Sequence, residues 1–245
     1  MLKFILRLHI VPVAAFLVLL VTLVILAVFN SNEPSYARKT KVLPSVSEDI
    51  PTLSFGVYTS DKPSEMYKKF KPMLRYIEDE IATRIEDSPQ IKLVIYKTYE
   101  LALEAFINGE VDFVRFGPAS YVIAKDRNPE VRLLAIEENK GKRRFNGIIL
   151  VRDDSPFASL EDLRGSSFAF GDENSTIGRY LSQAELVEAG ISVAELESFD
   201  YLGRHDRVVA AVLHGKYDAG AAKESTFAKY REKGLRALKS FDNVT

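Results

Sequence analysis

The chain has 245 residues, 47% hydrophobic and 27% charged, an ordinary globular composition long enough for two small lobes sharing a cleft. Its 33 Lys and Arg nearly balance 34 Asp and Glu, so the basic stripe of a nucleic-acid binder is missing and no nucleic-acid partner is expected. With no cysteine, disulfides, thiolate metal sites and cysteine nucleophiles are excluded.

Lys3 and Arg7 precede residues 10–29, an uncharged run interrupted only by Pro12 and Thr22. Twenty apolar residues at helical rise span about 30 Å, a bilayer core, and basic residues ahead of them put the amino terminus in the cytoplasm. Residues 1–30 are therefore read as a signal-anchor that holds the protein to the inner membrane and places the rest in the periplasm. A cleavable signal peptide is the alternative, since Ser35-Tyr36-Ala37 has small residues at the spacing signal peptidase favours. Residues 31–51, polar with Pro and Ser, form a tether.

From Thr52 strand and helix patterns alternate. A strand at 53–57 leads to a helix carrying Met66, Phe70, Met73, Leu74, Ile77 and Ile81 at helical spacing. A strand at 91–96, a helix at 99–107 stopped by Asn108-Gly109, and a strand at 111–114 follow. Gly117-Pro118 opens a helix through Ala124, and 131–136 and 147–151 read as further strands around a polar loop. The same grammar restarts after Asp153-Asp154-Ser155-Pro156: a short helix at 160–163, a strand at 167–170, a helix from Ile177, a strand at 199–202, a helix from His205, a strand at 217–221 and a helix from Glu224. This alternation predicts an α/β fold of mostly parallel sheets in two lobes, 52–152 and 153–245, hinged near 151–156.

An internal repeat supports the restart. Ala105-Phe-Ile-Asn-Gly-Glu-Val-Asp112 aligns without gaps on Ala211-Val-Leu-His-Gly-Lys-Tyr-Asp218, 106 residues later, and the same displacement pairs Tyr99 with His205. Two tandem α/β units set two rows of strand C-terminal ends face to face, and that edge is where ligands sit in open α/β sheets.

At that edge lies Asp172-Glu173-Asn174-Ser175-Thr176-Ile177-Gly178, a strand–turn–helix in which unpaired amides and two hydroxyls meet the positive end of a helix dipole. His205, Tyr99 and the Arg115-Phe116-Gly117-Pro118 segment converge on the same cleft. Such a donor-rich lining suits a tetrahedral oxyanion. Each residue also has a plainer role: Ser175 or Thr176 as a helix cap, Tyr99 as packing, His205 as a helix start, Arg115 and Arg204 as surface ion pairs. An imidazole of ordinary pKa predicts that binding strengthens below about pH 6.5. Enzyme signatures are missing, and adjacent His205 and Asp206 on a helix start point apart, which disfavours a triad with Ser175. No metal-ligand spacing appears, and no cofactor is expected.

These residues resemble the phosphate/phosphite/phosphonate substrate-binding proteins of ABC importers, with a type II periplasmic-binding fold. The resemblance runs from about Leu53 to Phe241 and is carried by Phe116-Gly117-Pro118-Ala119-Ser120-Tyr121, the Asn-Ser-Thr-x-Gly turn of 174–178, and His205-Asp206-Arg207-Val208. It implies that Ser175, Thr176, His205 and Tyr99 hold the oxyanion, with Asn174 of the same turn grouped beside them. Phe116 maps onto a contact that some members make through a phenol, which Phe lacks. Members normally cross back to complete the first lobe, whereas this sequence stops at Thr245, so the C-terminal part of the usual fold is expected to be missing. The implied function is capture of a phosphonate, phosphite or phosphate for the membrane subunits of an ABC importer. The exterior sensing portion of a membrane signalling protein is the alternative.

Overall fold

The computed structural model describes residues 51–138, 141 and 143–242. The expected signal-anchor of 1–30 and the tether of 31–51 lie outside them, apart from residue 51. No helix among the described residues is long and apolar enough to cross a membrane.

The first unit runs β1 (Thr52–Tyr58), α1 (Pro63–Ala82), β2 (Gln90–Tyr96), α2 (Tyr99–Ile107), β3 (Phe113–Arg115) and α3 (Pro118–Arg127). Pro63 supplies a preset φ to the first turn of α1, and Met66, Phe70, Leu74, Ile77 and Ile81 form its buried stripe. β2 and β3 flank β1, all parallel. The second unit repeats the plan: β5 (Ser167–Phe170), a π-helical turn (Thr176–Leu181) continuing into α4 (Ser182–Glu188), β6 (Ser198–Tyr201), α5 (His205–Leu213), β7 (Ala219–Lys223) and α6 (Glu224–Phe227). β6 and β7 flank β5, again parallel.

The repeat is structural in detail. α2 and α5 are both 9 residues long and begin at Tyr99 and His205. Each stops before a glycine in the left-handed region, Gly109 at φ 74° and Gly215 at φ 68°. The aspartate after each stop ties the third strand to the first by the same clamp. Ser54 N–H and Oγ both donate to Asp112 Oδ2 at 2.7 Å, and Asp112 N–H donates to Ser54 Oγ at 3.0 Å. In the second unit Ser167 N–H and Oγ donate to Asp218 Oδ2 at 2.8 and 2.7 Å, and Asp218 N–H donates to Ser167 Oγ at 3.0 Å.

Four expectations are corrected. β4 (Asn146–Arg152), read as the close of the first lobe, is bonded into the second sheet, whose order is β6-β5-β7-β4-β8. Its Gly147-Ile-Ile-Leu-Val151 run is buried throughout, and such a strand needs a neighbour on each side, which antiparallel β7 and β8 (Leu235–Asp242) supply. The sheet is accordingly mixed, and the lobe boundary drawn at 152/153 falls inside one unit. Residues 151–156 are not a free hinge, because Asp153 N–H donates to Gly234 O at 3.0 Å and the Arg236 guanidinium holds Ser155 and Phe157. Residues 131–136 form no ladder and pass along the surface, pinned by Val131 under Leu103 and Ala124.

The second core packs Phe168, Phe170, Ile149, Leu163, Leu186 and Ile191 around Ile177. Burying an Ile side chain contributes about 1.5–3 kcal/mol. Ile177 thus anchors the 174–178 turn while its polar neighbours face the opposite sheet.

Candidate functional site

The turn owes its shape to two glycines. Gly171 N–H donates to Gly178 O at 2.7 Å, and a Cβ on Gly178 would meet Gly171 Cα at 2.8 Å. The strand end and the helix start therefore touch backbone to backbone, where no larger residue fits. Ser175 caps the helix, its Oγ accepting from Gly178 N–H at 2.9 Å, and its carbonyl accepts from both Arg179 and Tyr180, the latter bond giving the turn its π width.

The two units meet at this turn. Ala119 N–H, in the first turn of α3, donates to Thr176 Oγ1 at 2.9 Å, and Ser120 Oγ donates to Asn174 O at 3.3 Å. Asn174 Nδ2 donates to Glu100 Oε2 at 2.8 Å, so that side chain clasps α2 across the cleft. On the far side His205 N–H donates to Ser60 O at 2.9 Å, and Thr226 Oγ1 donates to Asp61 Oδ1 at 2.9 Å. The starts of α2, α3, α5 and the π turn are drawn together, each bringing the positive end of its peptide dipoles.

Ser175 is 2% exposed, and Tyr99 and His205 are 4% exposed. The Tyr99 phenol lies against the Ser175 hydroxyl, and burial pushes its pKa well above the usual value. The Tyr99 ring stacks on Tyr58 with centroids 3.5 Å apart, and Phe116 continues the ladder 6.2 Å beyond Tyr58. Among the described residues His205 Nδ1 has no hydrogen-bond partner. Burial, with Lys223 adding to it and Asp206 opposing, lowers the His205 pKa to about 3, so the imidazole is neutral. Protonation below pH 6.5, expected from the ordinary value, is thereby corrected. Asp206 does not orient the ring, since both its oxygens are taken by Arg204 at 2.9 and 3.1 Å.

The structure brings Tyr99 against Ser175, with Thr176 beside it bonded to α3, stacks Phe116 behind Tyr58, and turns the Asn174 side chain to Glu100. His205 starts α5 two residues after Gly203, whose N–H donates to Gly171 O at the base of the same turn. Arg115 is paired with Glu137 at 2.9 and 3.1 Å, as read, but its side chain is 19% exposed and faces the cleft edge rather than open surface. Sequence reasoning missed Tyr58, buried at the C-terminal end of β1, whose hydroxyl accepts from Gly117 N–H at 2.6 Å. The signal was present: Tyr58 ends the central strand of its sheet, where ligands gather. Among the described residues no cluster of three His, Asp or Glu side chains could hold a metal.

Residues 55–243 match the profile of a family described as ABC transporter, phosphonate, periplasmic substrate-binding protein. The chain belongs to that family. It is 25% identical over 196 residues to the phosphate-import protein PhnD of Mycolicibacterium smegmatis, covering 76% of this chain and 59% of that one. It is 24% identical over 213 residues to the probable ABC transporter phosphite binding protein PhnD1 of Prochlorococcus marinus, covering 82% and 63%. The chain thus spans about three-fifths of the length of these relatives. The periplasmic-binding α/β fold is shared with the PhnD1 structure in complex with methylphosphonate, at TM-score 0.66 and 23% identity over 79% of this chain and 73% of that one. A binding protein component of an ABC phosphonate transporter from Pseudomonas aeruginosa has TM-score 0.65 and 18% identity, covering 78% and 65%.

Proposed function

We propose that this family member captures a phosphonate-, phosphite- or phosphate-type oxyanion between two lobes, 52–127 and 146–242, and presents it to the membrane subunits of an ABC importer. It works outside the cytoplasm, held at the membrane by residues 1–30, and performs no catalysis. The observation that carries the reading is the state of the two hydroxyls. Ser175 Oγ and Thr176 Oγ1 each already accept a backbone N–H, from Gly178 and Ala119, so the Thr176 hydroxyl keeps its hydrogen to donate, and the bonded pair of Ser175 and Tyr99 hydroxyls keeps one between them. The amides of Thr176 and Ile177 open the turn and have no acceptor within it. Neutral His205 adds its unpartnered Nδ1, a donor in the tautomer that carries the proton there. Donors thus outnumber acceptors along the turn, a balance that an anion with three oxygens satisfies. Methylphosphonate in PhnD1 and the phosphate and phosphite in the relatives' names are the ligands to try first.

The test is a thermal melt of the purified chain with methylphosphonate, phosphite or phosphate. Ligand at 100 times its Kd should add about 2.7 kcal/mol of stability. Ser175→Ala with Thr176→Ala should abolish the rise while leaving a cooperative melt. An undiminished rise in the double variant would place the anion elsewhere.

A further inference from the structure

Lys223 ends β7 paired with Gly147 of β4, on the face where a Cβ on Gly147 would meet Ile177 Cγ2 at 3.0 Å, and is left over by the reading above. Its ammonium sits 4.5 Å over the Phe145 ring, and among the described residues no carboxylate or other acceptor lies within hydrogen-bond or ion-pair distance of it. The charges that act on it come from both sides of the cleft. Arg115, Lys69, Glu137 and Asp61 belong to the first unit, and Lys223 in turn acts on His205 in the second. Glu137 is already engaged twice, by Arg115 at 2.9 Å and by Lys69. Asp61 is engaged by Thr226. Three cations therefore face two occupied carboxylates next to a seat that is itself rich in donors.

We propose, building on the oxyanion seat above, that Lys223 with Arg115 beside it receives a second anionic group of the ligand, so that the site selects phosphonates bearing a carboxylate tail over those with a neutral or cationic one. The chemistry follows from the imbalance. A half-buried ammonium without a counter-ion is costly, and the cost is removed when a carboxylate arrives with the ligand. An ammonium tail would meet Lys223 and Arg115 as like charges and be rejected. The strain on Lys223 is visible in its pKa, held down to about 8 by burial first and then by Arg115 and Lys69. Glu137, pushed up by burial but drawn down more strongly by Arg115 and Lys69, falls to about 2 and stays a carboxylate. It keeps Arg115 fixed rather than serving Lys223.

The experiment is calorimetric titration of the full chain, purified in detergent, with phosphonoacetate, 3-phosphonopropionate, methylphosphonate and 2-aminoethylphosphonate. The better carboxylate-tailed compound should bind about tenfold or more tighter than methylphosphonate, with 2-aminoethylphosphonate weakest. Lys223→Gln should reduce the tenfold preference to less than twofold while changing methylphosphonate affinity less than threefold, and Lys223→Arg should retain most of it. Methylphosphonate binding with no preference for a carboxylate tail, or a preference that survives Lys223→Gln, overturns this inference and leaves the oxyanion seat standing. An equal loss for all four compounds in Lys223→Gln overturns it too, since Lys223 then serves the first oxyanion. Absence of binding by every compound sinks both readings.

Discussion

His205 offers the sharpest prediction, because the fold holds its imbalance in one buried ring. Its folded pKa of about 3 lies below the ordinary 6.5, so the unfolded chain takes up a proton that the native chain refuses. Stability then rises with pH wherever the unfolded state binds more protons, and falls as pH drops from above 6.5 toward 3. Between pH 7.5 and pH 5 the native ring stays neutral while the unfolded one becomes charged. The loss over that range is about 2 kcal/mol, from 1.36 kcal/mol for each unit below 6.5. The ring is 4% exposed, so solvent screening takes little from this figure. Asp61 and Asp172, whose carboxyls burial raises, act in the opposite sense further down, which makes the comparison with His205→Gln decisive. Urea denaturation at pH 7.5, 6.5, 5.5 and 5.0, in buffers free of phosphate, should show the wild type losing about 2 kcal/mol more than His205→Gln. Parallel curves would refute a neutral, desolvated His205.

Three further predictions concern the frame. Gly178→Ala places a methyl within 3 Å of Gly171 Cα and of Ser175 Oγ, backbone and cap that have nowhere to move. It should cost about 1–3 kcal/mol in urea denaturation and remove ligand stabilisation altogether. Ser175→Ala alone deletes a helix cap and should cost about 1 kcal/mol without ligand, measured the same way. Asp112→Ala and Asp218→Ala break equivalent clamps in the two units, both partly in water, and each should cost about 1 kcal/mol. Unequal losses differing by more than a factor of three would mean that the repeat is one of shape only.

Much of this was legible in the residues. Tyr99 and His205 were placed at equivalent helix starts by a displacement of 106, and the structure begins α2 and α5 at those residues. Periodicity located the buried stripe of α1, and the turn at 174–178 was legible because Gly and Ser/Thr have few other uses between a strand and a helix. What failed was strand partnership. The run at 146–152 announces a strand, but nothing local says which sheet will accept it, and only the distant Leu235–Asp242 provides its second neighbour. The run at 131–136 has strand-like residues but packs through Val131 against Leu103 and Ala124 without joining either sheet, and nothing local distinguishes the two outcomes. Asn174 looked like a ligand donor beside Ser175, and its partner Glu100 stands 74 positions away in the other unit. The His205 pKa departs from its ordinary value for the same reason, since burial and Lys223 are supplied by tertiary contacts.

The central claim is that the Ser175-Thr176 turn, with His205 in its own unit and Tyr99 facing it from the other, seats an oxyanion. A crystal structure with methylphosphonate tests it most directly. The account predicts phosphonate oxygens at about 2.6–3.1 Å from Ser175 Oγ, Thr176 Oγ1 and the opening amides of the turn, with His205 within hydrogen-bond reach. A phosphonate bound away from that turn, with Ser175 and Thr176 bonded only to Gly178 and Ala119, would contradict it.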